Sequence, residues 1–114
     1  MSLLRAFDYN QAVHESQYVK DTMILNPETF EKTLEHFKSM AERKVFYYLV
    51  MEIDPMGHSI NEVNEMLLGK IRTNDIIGLD KNGKIKLLLS QATKDDLKFI
   101  LPRFENLDVG INVL

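Results

Sequence analysis

The chain has 114 residues, of which 14 are basic and 17 are acidic, so its net charge is -3 at pH 7. This negative balance argues against binding to a nucleic-acid backbone, which requires a basic field. The chain has no cysteine, which excludes disulfides and thiolate metal sites. The longest apolar run, residues 45–51, is far shorter than the ~20 residues that span a membrane, and no signal peptide is visible. We therefore expect one cytoplasmic domain with a single core.

The first 26 residues are the least regular part of the chain. Their apolar residues follow neither the period of a helix nor that of a strand. We predict a partly helical lead-in over residues 1–26 and a folded domain over residues 27–114. We expect this domain to be a fragment of a larger protein.

The first clear helix begins at Asn26, whose side chain can cap it, and at Pro27, whose missing N–H costs nothing in a first turn. Its apolar residues recur at helical spacing and comprise Phe30, Leu34, Phe37 and Ala41. This pattern predicts an amphipathic helix with one buried face.

A strand is predicted over residues 45–51, because this β-branched and aromatic run is too short for a helix and is apolar on both faces. The strand continues into Glu52 and Asp54, and Pro55 ends it. Ser59 and Glu62 have the spacing of a capping box. We therefore predict a second helix from this point, fading near residues 73–74.

Residues 75–90 have the pattern of a β-hairpin with its tip at residues 81–83. A three-residue loop with Gly83 in the left-handed conformation pairs Leu79 with Ile85 and produces one apolar and one charged face. A two-residue turn would mix polar and apolar residues on both faces. We predict the three-residue loop and expect this hairpin to be the central pair of a sheet.

A third helix and a last strand complete the chain. Thr93 and Asp96 resemble a capping box, and Pro102 should kink the helix or end it early. Alternating apolar residues predict a strand over residues 109–114. With right-handed crossovers, this order predicts an α+β fold: a ferredoxin-like βαββαβ antiparallel sheet with helices on one face and an additional N-terminal helix.

Several short motifs occur in the order expected of one family. The segment D-T-M-I-L-N-P-E-T-F at residues 21–30 resembles the motif D-x-L-T-x-L-x-N-R-x-x-F, shortened by two residues before the asparagine. M-E-I-D at residues 51–54 resembles a strand ending in D-x-D, Gly57 and His58 resemble a G-H pair, and R-T-N-D at residues 72–75 matches R-x-x-D. Taken together, these motifs resemble the GGDEF domain of diguanylate cyclases, which join two GTP molecules into cyclic di-GMP. The predicted hairpin falls where this family has its signature hairpin.

The sequence departs from the family at the positions that bind metal and nucleotide. The resemblance places the metal-binding acid of the signature loop at Gly83 and the neighbouring acid at Lys84, and neither residue carries a carboxylate. The family's F-K-x-I-N segment, which contacts phosphate and guanine, is deleted after Asp54. Hard cations such as Mg²⁺ need carboxylate oxygens, so these losses argue against catalysis. We assign no catalytic residue.

The candidate site residues are those at positions that correspond to the family's metal and nucleotide sites. It implies a metal-binding pair at Glu52 and Asp54 and a guanine-reading acid near Glu62. The loop that would face a nucleotide comprises Lys81, Asn82, Gly83 and Lys84. Mg²⁺ is the expected cofactor if a nucleotide is bound. The same residues also fit a simpler interpretation, as solvated acids, a helix-capping glutamate and surface lysines at a turn.

Three hypotheses follow from the resemblance. The first is a degenerate, catalytically inactive GGDEF-like domain that acts as a regulatory, nucleotide-sensing or dimerising module in bacterial signal transduction. Its partners would be GTP or cyclic di-GMP, the other domains of a larger signalling protein, or a second copy. The second is a divergent active cyclase in which Glu52 and Asp54 carry the metal alone. The third is a structural protein-interaction domain that binds no nucleotide.

RNA-recognition modules stack bases on aromatic residues of a similar sheet, which makes RNA binding an alternative function for the predicted fold. Residues 85–89 carry no aromatic side chain, and the net charge is negative. We therefore expect no nucleic-acid partner.

Overall fold

The computed structural model describes residues 17–114. Most of the predicted lead-in, residues 1–16, lies outside the described residues. Residues 17–26 form a tight loop, in which the Val19 N–H donates to the Ile24 carbonyl at 2.8 Å and Tyr18 forms an antiparallel bridge with Leu25. No helix of the described part of the chain is long and apolar enough to cross a membrane.

The described residues form a four-stranded antiparallel sheet with helices on it. The helices are α1 (Pro27–Glu42), α2 (Ile60–Leu67) and α3 (Leu97–Ile100), and 3₁₀ turns at Lys94–Asp96 and Leu101–Phe104 flank α3. The strands are β1 (Tyr48–Asp54), β2 (Ile76–Leu79), β3 (Ile85–Ser90) and β4 (Gly110–Val113). The strand order across the sheet is β2-β3-β1-β4, and every neighbouring pair is antiparallel.

The hairpin has the predicted register but not the predicted place. Leu79 pairs with Ile85, Ile77 pairs with Leu87, and Gly83 has a φ of +79°. The prediction that β2 and β3 are the central pair is wrong, because β2 lies at an edge and β1 and β3 are central. The longer β1 pairs with six residues of β3 and is apolar on both faces, so it takes the inner position.

The outer edge of β2 is covered by the loop before α1. The Leu25 N–H donates to the Ile77 carbonyl at 2.9 Å, and the Leu25 carbonyl accepts from the Leu79 N–H at 3.0 Å. A single residue in parallel orientation therefore satisfies the edge groups of β2 at this point.

The sheet is covered on both faces, which corrects the prediction of helices on one face. Helices α2 and α3 bury Val63, Leu67 and Ile100 in the larger core. Helix α1 buries Phe30 and Phe37 in a second core with Leu88 on the opposite face. The side chains of β3 alternate between the two faces of the sheet. Leu88 points to the face under α1, and α1 buries this apolar side chain.

Helix α1 begins as predicted and fits closely against β2. The Asn26 Oδ1 accepts a hydrogen bond from the Thr29 N–H at 2.9 Å, and Pro27 is the first helical residue. The ring of Phe30 lies over Gly78 so closely that a Cβ at that glycine would overlap it. The absence of a side chain at Gly78 therefore lets α1 approach the sheet.

Helix α2 has the predicted capping box but ends earlier than predicted. The Ser59 Oγ accepts from the Glu62 N–H at 3.2 Å, and a Glu62 carboxylate oxygen accepts from the Ser59 N–H at 3.0 Å. The helix ends at Leu67 rather than near residues 73–74. Gly69 follows with a φ of +81°, which turns the chain out of the helix. Pro102 has the predicted effect on α3, which ends at Ile100.

Candidate functional site

A cavity of about 380 Å³ lies between the end of β1 and the tip of the β2–β3 hairpin. It brings together the candidate residues at the end of one strand and in the loop of another. Those that line it are Glu52, Asp54, Asn82, Gly83 and Lys84. The end of β1 and the hairpin loop are distant in the sequence. They lie side by side because β1 pairs with β3 in a register that sets Ile53 opposite Ile85.

The Glu52 carboxylate is held by a lysine of the neighbouring strand. The Lys86 Nζ lies 3.1 Å from a Glu52 carboxylate oxygen and 3.6 Å from the Asp80 Oδ2. Glu52 and Lys86 are directly opposite each other in the β1–β3 ladder. Their side chains are only 26% and 16% exposed, so solvent screens this pair less than a typical surface ion pair. The carboxylate that the resemblance assigns to a metal thus already has a cation.

The backbone N–H groups at the hairpin tip donate to acceptors within the hairpin itself. The Asp80 Oδ1 accepts from the Asn82 N–H at 2.8 Å and from the Lys84 N–H at 2.9 Å. The Gly83 N–H donates to the Asp80 carbonyl at 3.1 Å. Backbone N–H groups at a glycine-containing loop often bind phosphate, but all three amides here have internal acceptors. A phosphate at this tip would have to rely on side chains.

Asp54 has a local role at the end of β1. Its Oδ1 accepts from the Met56 N–H at 3.0 Å, which fixes the turn after the strand. Met56 has a positive φ of +52°, an uncommon conformation for a residue with a side chain. The carboxylate therefore holds the short connection between β1 and α2.

Two candidate residues lie away from the cavity. The Lys81 Nζ is 3.2 Å from a Glu31 carboxylate oxygen, which joins the hairpin tip to α1. Glu62 caps α2 through Ser59, as the sequence indicated. Neither side chain lines the cavity. The structure therefore does not group them with Glu52 and Lys84.

A histidine between two acids borders the cavity. The His58 Nδ1 lies 3.2 Å from the Glu62 Oε2, and its Nε2 lies 2.8 Å from the Asp108 Oδ2. The hydrogen bonds to Asp108 and then to Glu62 raise the pKa of His58 above its ordinary value. The pKa of Glu62 is lowered, mainly by the backbone N–H of Ser59 and then by His58. An imidazolium that donates from both nitrogens satisfies both acids.

Sequence reasoning missed three of these residues for different reasons. Asp80 and Lys86 belong to no motif: the hairpin brings Asp80 to Lys86, and the pairing of β3 with β1 brings Lys86 to Glu52. Asp108 is 50 residues from His58 and has no motif of its own. The Gly57-His58 pair was the one available signal for this cluster.

The residues of the cavity do not fit a metal ion held by the protein. Among residues 17–114 no three His, Cys, Asp or Glu side chains are arranged to hold one. Gly83 supplies no ligand, and Glu52 is bound to the Lys86 ammonium. Because Mg²⁺ prefers several oxygen ligands in octahedral geometry, a carboxylate already paired with lysine is a poor anchor.

No family model and no curated protein sequence matches the chain. Solved structures do match, and one is the crystal structure of the diguanylate cyclase SiaD in complex with its activator SiaC from Pseudomonas aeruginosa. The two proteins share 20% sequence identity with a TM-score of 0.67, and the match covers 97% of this chain and 51% of that chain. The chain thus spans about half the length of this neighbour. At this level of identity the similarity shows the fold, which is that of a GGDEF-like domain.

Proposed function

We propose that this chain is a degenerate GGDEF domain that does not form cyclic di-GMP and serves as a regulatory, nucleotide-sensing or dimerising module of a cytoplasmic bacterial signalling protein. The ordered motifs and the GGDEF-like fold support the family assignment. The strand order β2-β3-β1-β4, with all neighbours antiparallel, supports the ferredoxin-like topology that this assignment implies.

The loss of activity is proposed from one observation above all, which is the ion pair between Glu52 and Lys86. In a two-metal or one-metal phosphoryl transfer, the cation neutralises the phosphates and activates the attacking oxygen. Here Glu52, one of the two remaining metal-site acids, is paired at 3.1 Å with an ammonium. Gly83 and Lys84 replace the acids of the signature loop. Of the acids that the resemblance assigns to the metal this leaves Asp54, whose Oδ1 accepts from the Met56 N–H, and one carboxylate is a poor site for Mg²⁺.

Nucleotide sensing would depend on the side chains of the cavity. Lys84 and Asn82 can donate to phosphate oxygens, and the nucleotide would bring its own Mg²⁺. Lys81 and Glu62 lie outside this cavity, so we assign them no direct contact. GTP and cyclic di-GMP are the ligands that the resemblance implies.

The experiment combines turnover with ligand binding. The purified chain is incubated with GTP and Mg²⁺ beside an active diguanylate cyclase as positive control, and we expect no cyclic di-GMP. Thermal unfolding is then measured with GTP, GMP and cyclic di-GMP, each with and without Mg²⁺. A ligand at 100 times its dissociation constant stabilises the fold by about 2.7 kcal/mol, a shift of several degrees. Turnover that Glu52→Ala abolishes would instead establish a divergent active cyclase.

A protein-binding role is the second candidate, because the solved neighbour is a cyclase in complex with its activator protein. On this hypothesis no nucleotide shifts the unfolding temperature. Sedimentation of the chain alone would then distinguish a homodimer from a monomer that awaits another domain.

A further inference from the structure

We infer that Lys86 is a resident cation that takes the place of a divalent metal at Glu52 and excludes one from this site. This inference rests on the proposed family assignment, because that assignment is what implies a metal at Glu52. Lys86 does not itself line the cavity, so it acts there through Glu52, which does. Sequence comparison with the signature loop alone points to Gly83 and Lys84 and does not identify this lysine.

The position of the ammonium carries the inference. It lies between the carboxylate of Glu52 in β1, at 3.1 Å, and that of Asp80 in the loop after β2, at 3.6 Å. A cation that bridges two carboxylate oxygens in this way occupies the place that a hard metal ion would need. The Glu52 side chain is opposite Lys86 in the ladder, so the backbone holds the pair in register.

The surroundings of Lys86 favour a fixed side chain. It lines a groove together with Phe30, Leu34 and Val50, and its side chain is 16% exposed. The methylene stem can therefore pack on apolar residues while the ammonium reaches the acids. Removing the charge while keeping the stem is possible with methionine, which makes Lys86→Met the natural variant.

The charge balance indicates what the removal would do. Glu52, Asp80 and Lys86 together carry one net negative charge, and Lys86→Met raises this to two. The Asp80 Oδ1 remains engaged with two backbone N–H groups, so its Oδ2 and the Glu52 carboxylate become available together. Two such oxygens with bound water form a weak site for a divalent cation. The wild-type ammonium repels the same ion.

The test is a titration with Mn²⁺, which takes oxygen ligands like Mg²⁺ and can be followed by the electron paramagnetic resonance of the unbound ion. No nucleotide is present, so the result is independent of whether the cavity binds GTP. We expect Lys86→Met to bind one Mn²⁺ at least about tenfold more tightly than the wild type. The charge-conserving variant Lys86→Arg should behave like the wild type.

A second acid-to-amide change localises the ion. The gain should disappear in the double variant Lys86→Met/Glu52→Gln, whose circular dichroism confirms folding. If Lys86→Met does not fold, Lys86→Gln takes its place with the same expected result. Wild-type protein that binds Mn²⁺ as tightly as the folded variant would overturn the inference, and so would a folded variant with no gain. Failure of the proposed nucleotide sensing would appear only in the separate thermal measurements with GTP.

Discussion

Arg72 and Asp75 form a two-point ion pair in which Nη2 lies 2.9 Å from Oδ1 and Nε lies 3.1 Å from Oδ2. The Asp75 side chain is only 1% exposed, whereas that of Arg72 is 43% exposed. The same guanidinium donates to the Ser90 carbonyl at 2.7 Å. The R-x-x-D motif therefore fastens the start of β2 to the end of β3.

Removing this guanidinium should destabilise the fold. We expect Arg72→Leu to lower the free energy of unfolding by about 2 kcal/mol, because it leaves the buried Asp75 carboxylate with fewer donors. The value lies below that of a fully buried pair because Arg72 is partly in water. Urea unfolding measures it, and Lys70→Leu on the nearby surface is the control with little expected effect. Equal midpoints for the two variants would contradict this account of the motif.

Substitution of Gly78 tests the close approach of α1 to the sheet. Gly78→Ala places a methyl group against the Phe30 ring, and we expect it to cost about 1–3 kcal/mol of stability in urea unfolding. Gly83→Ala is the contrasting variant, since open space surrounds that position and only its positive φ opposes a side chain, at about 1 kcal/mol. In the background Phe30→Leu the cost of Gly78→Ala should shrink. A Gly78→Ala protein as stable as the wild type would mean that α1 packs differently.

The His58 cluster should make stability depend on pH in a defined direction. The folded-state pKa of His58 is raised above 6.5, so its contribution is complete below that pH and is lost as pH rises through the raised value. The pKa of Glu62 is lowered from 4.5, so its contribution is present above that pH and is lost in acid. We expect the unfolding temperature to fall on going from pH 6.5 to higher pH.

In the variant His58→Gln the unfolding temperature should fall less as the pH rises above 6.5. The measurement is thermal unfolding of both proteins over a range of pH values. His36→Gln is a matched control, because His36 lies on the exposed face of α1. A profile that responds to His36→Gln but not to His58→Gln would rule out the cluster as the cause.

On the proposed function, placing acids at residues 83 and 84 should not by itself produce cyclase activity. We expect the double variant Gly83→Asp/Lys84→Glu to form no cyclic di-GMP from GTP and Mg²⁺, because Lys86 still pairs with Glu52. Aspartate tolerates a φ of +79° at a cost of about 1 kcal/mol, so the variant should fold. Product release is measured by chromatography beside an active diguanylate cyclase. Detectable product would show that the loop acids, and not Lys86, limit the reaction.

Local chemistry allowed the hairpin and the helix starts to be predicted. Gly83 can adopt the positive φ that a three-residue loop requires, and only the register of that loop separates the apolar residues from the charged residues. Asn26 and Ser59 cap helices through atoms three residues away. These features depend on neighbours in the sequence, so the sequence contains the information for them.

The features that sequence reasoning missed all depend on tertiary placement. Which face α1 covers is decided by the space above Gly78, and the partner of Glu52 is decided by the pairing of β1 with β3. His58 meets Asp108, which is 50 residues away in the sequence, only in the folded molecule. The positions that the resemblance assigns to a metal ligand and to the loop acids could be located in the sequence, but Lys86, which pairs with Glu52, could not.

The bridge at Leu25 has a consequence for aggregation. An exposed, unpaired strand edge is a template on which other chains can add strands, the first step toward fibres. At β2 an incoming strand would first have to displace Leu25, whose two hydrogen bonds with Ile77 and Leu79 already occupy that edge. Residues that precede the first helix thus hinder the addition of a foreign strand at the β2 edge of this sheet.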